Sequence, residues 1–147
     1  MSVFGDEEYT LTDIVEYVNK VAMQLEGQGL PAAQVQQIID GYGQFVFDEW
    51  IEGTSSKQLA QEFFKMYQTR VPMQKPTRSL FKLSRYVSFI VIDLVNFGFD
   101  LEDALIIVDD FDEAVVGWFP MVEPRVAARR LGVMNRRLAA GIALHEG

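Results

Sequence analysis

The chain has no cysteine and a single histidine, His145. The first absence excludes a disulfide scaffold, a thiolate metal site and a cysteine nucleophile. The second removes most of the remaining catalytic and metal repertoire, because imidazole is the usual general base and the commonest metal ligand. No Glu-x-x-His pair occurs, so the di-iron pattern of helical bundles is missing. A long apolar run is missing as well. The most apolar stretch, Tyr86 to Leu101, is interrupted by Asp93, Asn96, Gly98 and Asp100 and is shorter than the ~20 residues a spanning helix needs. It reads as a buried core helix, with no membrane involvement. Gly27-Gln28-Gly29 and Gly41-Tyr42-Gly43 lack the lysine and the serine or threonine of a phosphate loop, so both glycine pairs read as helix punctuation. The start, Met1-Ser2-Val3-Phe4-Gly5-Asp6-Glu7-Glu8, is acidic where a signal or transit peptide is basic, and a cytoplasmic location is expected.

What is present is amphipathic periodicity. The 147 residues are 49% hydrophobic, enough for one core, and 1–147 is expected to form a single helical domain. Helical spacing appears six times and strand alternation nowhere, which predicts an all-α fold, a compact antiparallel bundle of about six helices. Helix one spans Leu11 to Glu26, buries Ile14, Val18, Val21 and Leu25, and is capped by Thr10 or Thr12. Helix two starts at Pro31 and carries Val35, Ile38, Ile39, Tyr42, Phe45, Val46 and Trp50 inward, with a kink or break near Gly41. Ser55 with Gln58 opens helix three, striped by Leu59, Ala60, Phe63, Phe64 and Tyr67. Two prolines in Val71-Pro72-Met73-Gln74-Lys75-Pro76 forbid a regular helix and mark 71–77 as the candidate hinge.

Helix four begins near Thr77 or Ser79 and ends at Phe97, with Gly98 as its stop. Asp100 caps helix five, which turns Ala104, Ile107, Val108, Phe111, Val115 and Trp118 inward. Pro124 opens helix six, whose seam is Ala127, Leu131, Met134, Leu138 and Ile142. The one internal similarity, Phe47-Asp48-Glu49 with Gly53 against Phe111-Asp112-Glu113 with Gly117, does not extend into the flanks and reads as chance.

The net charge of -8 hides a block layout. Acids dominate residues 1–52 and 93–117, whereas bases dominate 53–92 and 118–147. Oppositely charged helices either neutralise each other inside the chain or present a bipolar surface that steers partners. On helix five, Glu102, Asp109 and Glu113 project along one line, with Asp103 and Asp110 beside it. Carboxylates in this pattern do not fit a calcium loop, and a solvated acidic face is the plain alternative to a binding role.

On helix six, Arg125, Arg129 and Arg136 form one row, Arg130 and Arg137 a second, and Val126, Val133 and Ala140 lie between them. A small apolar strip framed by guanidinium groups suits a protein interface, the alternative being internal pairing with helix five or helix one. Direct nucleic-acid binding is disfavoured by the acidic balance, although Arg78, Lys82 and Arg85 form a local basic row. Asp93, the ionisable group inside the apolar run, projects with Lys82, Phe89 and Asn96, where solvent or an ion pair satisfies it. Ser84 and Ser88 have no base nearby in the pattern.

The residues therefore point to no catalytic site, no metal and no cofactor. The expected function is a noncatalytic protein–protein interaction module, an adaptor, assembly factor or acidic inhibitor of a protein partner, or a homo-oligomer. Its candidate surface is Arg125, Val126, Arg129, Arg130, Val133, Arg136 and Arg137 with Glu102, Asp109, Asp110 and Glu113. The alternative is a ligand-binding or enzymatic bundle with an apolar pocket lined by Tyr42, Trp50, Tyr86 and Trp118.

Overall fold

The structure, a computed structural model, describes residues 10–76 and 78–146, with side chains described as far as 141. Among the described residues it holds eight α-helices and no strand: α1 (Leu11–Gly27), α2 (Ala32–Gly41), α3 (Gln44–Ile51), α4 (Ser56–Gln68), α5 (Leu80–Asn96), α6 (Leu101–Asp110), α7 (Asp112–Trp118) and α8 (Pro124–Glu146). The all-α expectation holds, and the count of six is corrected to eight because two expected helices are broken. The first breaks after Gly41, where Tyr42 leaves helical geometry at φ -112° and ψ 15°. A Cβ on Gly41 would lie 2.5 Å from Met73 Sδ, so the segment after α4 crosses too close for any side chain there. The second break is at Phe111, with φ -116° and ψ 33°, where neither glycine nor proline announces it.

The chain divides into two compact units, one of Asp13–Arg85 and one of Tyr86–Gly147 with Met1–Thr12. In the first, α2 packs on α4. Val35, Ile38, Ile39, Leu59, Ala60 and Phe63 are buried, each large apolar side chain contributing roughly 1.5–3 kcal/mol. The Tyr42 ring lies 5.7 Å from that of Phe63, and its hydroxyl donates to the Val71 carbonyl at 2.7 Å. The Gln74 N–H donates to the Gly41 carbonyl at 3.1 Å, so the stretch expected to hinge is tied to the end of α2; Thr77 lies outside the described residues. Ser55 caps α4 as expected, accepting from the Gln58 N–H at 3.1 Å. In the second unit α6 packs on α7 and α8, burying Ala104, Ile107, Val108, Ala127, Ala128 and Leu131. Asp100 caps α6 through the Asp103 N–H at 2.8 Å.

The two units repeat one another. A step of 69 residues carries α1 onto α5 and α2 onto α6, and a step of 68 carries α4 onto α8. The hydrogen bonds repeat with the helices. Asp40 accepts from the Phe81 N–H at 3.0 Å and the Ser79 hydroxyl at 2.6 Å. Asp109 accepts from the Thr12 N–H at 2.9 Å and the Thr12 hydroxyl at 2.6 Å. In each case a carboxylate near the end of one helix satisfies a free donor in the first turn of another and sits at the positive end of its dipole. Likewise Tyr17 donates to Thr54 O at 2.7 Å and Tyr86 to Val122 O at 2.6 Å. Gly29 and Gly98, at φ 92° and 111°, close the equivalent helices α1 and α5. Phe111 corresponds to Tyr42, so the two helix breaks are one turn used twice. The similarity of Phe47-Asp48-Glu49 to Phe111-Asp112-Glu113 is out of this register.

Three expected burials are corrected, the first at Phe45, expected inward but 37% exposed. The stretch Tyr86 to Leu101 buries only one face, that of Tyr86, Val87, Ile90 and Leu94, while Phe89 and Ile92 are each 53% exposed. The α8 seam is consumed at Ala127 and Leu131 only. Leu138 is 49% exposed, and Ile142 lies outside the described side chains.

Replacing Asp40 or Asp109 by alanine should each lower stability by about 1–2 kcal/mol, the usual cost of a lost N-terminal cap, in chemical denaturation. Asparagine, which keeps the acceptor, should recover part of it.

The buried tyrosines set an alkaline limit. Burial, with Glu49 and Glu62 adding to it, pushes the Tyr17 hydroxyl up to about 12. Burial also raises Tyr42 and Tyr86, against a lowering contribution from Arg130 on the latter. A raised folded pKa means that this stability is complete below the unfolded value near 10 and is lost as pH climbs through the folded value. The melting temperature should therefore fall between pH 10 and about 12, and Tyr17→Phe should flatten that fall.

Candidate arginine-bearing groove on α8

Pro124 starts α8 without needing the donor it lacks, and the helix then presents its arginines outward because Ala127, Ala128 and Leu131 take the inward face. Arg125, Arg129, Arg130, Arg136 and Arg137 are all exposed, as are Val126 and Val133 between them. Among the described residues none of these arginines is in an ion pair. Ion pairs elsewhere include Lys20–Glu16 at 3.0 Å and Arg85–Glu26 at 3.4 Å. The arginines instead lie over rings: Arg130 over Trp118 at 5.6 Å and Arg129 over Phe97 at 6.0 Å.

A groove of about 410 Å³ runs along this helix. Its apolar lining comes from Phe97 and Phe99, on either side of the glycine that closes α5, and from Ala128, Gly132 and Val133 of α8. Arg129 and Arg136 complete it. The structure thus brings together Arg129, Val133 and Arg136 of the expected surface, places Arg130 on Trp118, and leaves Arg125, Val126 and Arg137 exposed outside the groove lining. The lining residues that the sequence pattern did not single out are Phe97, Phe99, Ala128 and Gly132. A glycine between two arginines on an otherwise strong helix was the available signal.

The expected acidic line does not survive as one line. Glu102 and Asp110 are exposed on α6, but the break at Phe111 puts Glu113 on α7, so the helical spacing that joined them is interrupted. Asp109 is half-buried and engaged with Thr12, and Asp112 beside it is buried. Among the described residues no three His, Cys, Asp or Glu side chains converge as a metal site would require, and no helix is long and apolar enough to cross a membrane. The aromatics of the pocket alternative are already in use: Tyr42 and Tyr86 are buried and hydrogen-bonded, Trp50 lies 6.5 Å from Tyr17, and Trp118 lies under Arg130.

Gly132 is unusual in its place. A Cβ there would meet Phe99 Cε2 at 3.7 Å and Cζ at 4.0 Å, ordinary contacts, so packing does not demand glycine. In a helix interior glycine costs about 1 kcal/mol relative to alanine. Gly132→Ala should therefore raise stability by about 0.5–1 kcal/mol, read as a higher denaturation midpoint with an unchanged slope. A destabilised alanine variant would mean that the close approach of Phe99 decides the residue.

Comparison with protein-family models, with curated proteins and with solved structures finds no match for this chain.

Proposed function

We propose that this protein is a noncatalytic interaction module, an adaptor, assembly factor or inhibitor, that presents α8 to an acidic protein partner. The observation that carries the reading is the row of exposed arginines, none ion-paired among the described residues, with two of them lining an apolar groove. Guanidinium groups bind carboxylates with two parallel hydrogen bonds and shed water more readily than ammonium groups, which suits them to an interface. Val126 and Val133 add the apolar strip that a partner would cover. The acidic α6 and α7 surface, with Glu102, Asp110 and Glu113, repels wrongly oriented acidic partners and favours one docking direction. A net charge of -8 disfavours nucleic acid as the partner.

The second reading, a small-ligand bundle, draws on the same groove, because about 410 Å³ falls within the range of small-molecule sites.

Arg129→Glu with Arg136→Glu tests the proposal. Peptides selected from a random displayed library on the wild-type protein should be enriched in Asp and Glu. They should bind the double variant at least tenfold more weakly, since like charges brought together cost more than about 1.4 kcal/mol. The melting temperature should barely move, because both positions are exposed. Selected peptides with no acidic bias, or with unchanged affinity for the variant, would remove α8 as the binding face.

A further inference from the structure

Two helices of the second unit carry one surface pattern in opposite charge. On α8, Val133 is 43% exposed and has arginine at each of the helix positions that neighbour it on the surface: Arg129 and Arg130 before it, Arg136 and Arg137 after it. On α6, Ile106 is 49% exposed and has an acid at each of the same positions: Glu102 and Asp103 before it, Asp109 and Asp110 after it. Offsets of three and four residues either way read the same in both chain directions. Glu102, Asp103 and Asp110 are exposed, and among the described residues none of them is in an ion pair. Asp109 is held by Thr12. The two faces point away from each other within the chain. α6 and α8 pack together, and their buried residues, Ala104, Ile107 and Val108 on one and Ala127, Ala128 and Leu131 on the other, centre about 150° or more around the helix from Ile106 and Val133. The matching charges can therefore pair only between molecules.

We infer, resting on the interaction reading above, that the acidic partner of α8 is the α6 face of a second copy of this chain. Two helices set side by side bring one residue of each to the centre of the contact, with the residues three and four positions away along its two edges. With Ile106 of one copy against Val133 of the other, the centre is apolar. One edge then sets Arg129 and Arg136 or Arg130 and Arg137 against Glu102, and the other edge sets the remaining pair against Asp103 and Asp110. Because the pattern is the same in both directions, the charges match whether the helices run parallel or antiparallel. A pairing of like faces, α8 on α8 or α6 on α6, sets charges of one sign against each other and is disfavoured. α6 has only ten residues, about 15 Å of helix, so the contact is smaller than the roughly 800 Å² per partner of a standard stable interface. Exposed ion pairs are also individually weak, and the association is therefore reversible and dependent on concentration.

Sedimentation velocity of the full chain over a concentration series tests this. The weight-average mass should rise above that of the monomer as concentration increases. Sodium chloride at 1 M, which cuts the Debye length from about 10 Å to about 3 Å, should weaken the association about tenfold. Arg129→Glu with Arg136→Glu on α8, and Glu102→Lys with Asp110→Lys on α6, should each raise the apparent Kd at least tenfold, since like charges then face each other. Mixed in equal amounts, the two double variants should associate again, because one still supplies the arginines of α8 and the other the acids of α6. The absence of cysteine permits an independent measurement: chains carrying Ile106→Cys and chains carrying Val133→Cys, when mixed, should be joined by a short bismaleimide several-fold faster than either is joined to itself. A wild-type chain that stays monomeric up to about 1 mM, while acidic peptides still bind α8, overturns the second copy as partner and leaves the acidic-partner reading standing. Failure of self-association and of every acidic peptide would sink both. Self-association that the α6 variant does not weaken, or variants that stay apart when mixed, would also overturn the pairing of α6 with α8. If a double variant does not fold, the crosslinking of the single-cysteine chains still decides the question.

Discussion

A carboxylate closing the first turn of a distant helix is the interaction on which this architecture depends. Asp40 does this for α5 and Asp109 for α1, each accepting from a backbone N–H and from a hydroxyl. Hydrophobic burial supplies most of the free energy of the fold, but it is indifferent to where a helix begins. A capped first turn is not: the free N–H groups must find acceptors, and an acceptor on another element fixes the start of one helix against the end of another. The carboxylates Asp40 and Asp109 and the N–H donors of Phe81 and Thr12 stand at equivalent positions, while the hydroxyls come from different ones, Ser79 and Thr12, so the backbone cap is what belongs to the repeated unit.

Repetition also separates what the fold needs from what it merely carries. Tyr17 and Tyr86 make the same bond to a carbonyl ahead of the next helix, and Leu25 and Leu94 are both fully buried, so these positions are structural. Glu16 and Arg85 are equivalent but opposite in charge, as are Asp13 and Lys82. The exposed faces of the two halves have diverged in charge, while the buried positions stay mostly apolar and differ in volume, as in Val35 with Ala104 and Phe63 with Leu131.

Helix type and most starts were legible in the sequence, because amphipathic spacing and capping residues are local signals. Ser55, Asp100 and Pro124 mark helix starts by rules that do not depend on the rest of the chain. The breaks were less so. Gly41 gave a hint, while Phe111 gave none, since no glycine or proline stands at its turn. The repeat was hidden because its clearest identities, such as Tyr17 with Tyr86 and Asp40 with Asp109, are scattered among charge reversals, while the short match of Phe47-Asp48-Glu49 to Phe111-Asp112-Glu113 falls out of its register. For the arginine rows the spacing left an outward face and internal pairing both open, and all five side chains are exposed. The groove was not legible, since it joins α8 to the end of α5, and that neighbourhood is a tertiary fact. Leu138 misled for a related reason: periodicity states which face is apolar and says nothing about how far the neighbouring helices extend.

The length of α8 carries one further consequence. It has 23 residues where its counterpart α4 has 13, and Arg136 to Ala140 are exposed on every side. Because the packed first half already holds the helical nucleus, each later residue only has to propagate, a step near thermal balance for a run as rich in alanine as Leu138-Ala139-Ala140-Gly141. Shortening or extending that exposed run therefore changes the helix residue by residue and leaves the buried contacts of Ala127, Ala128 and Leu131 in place.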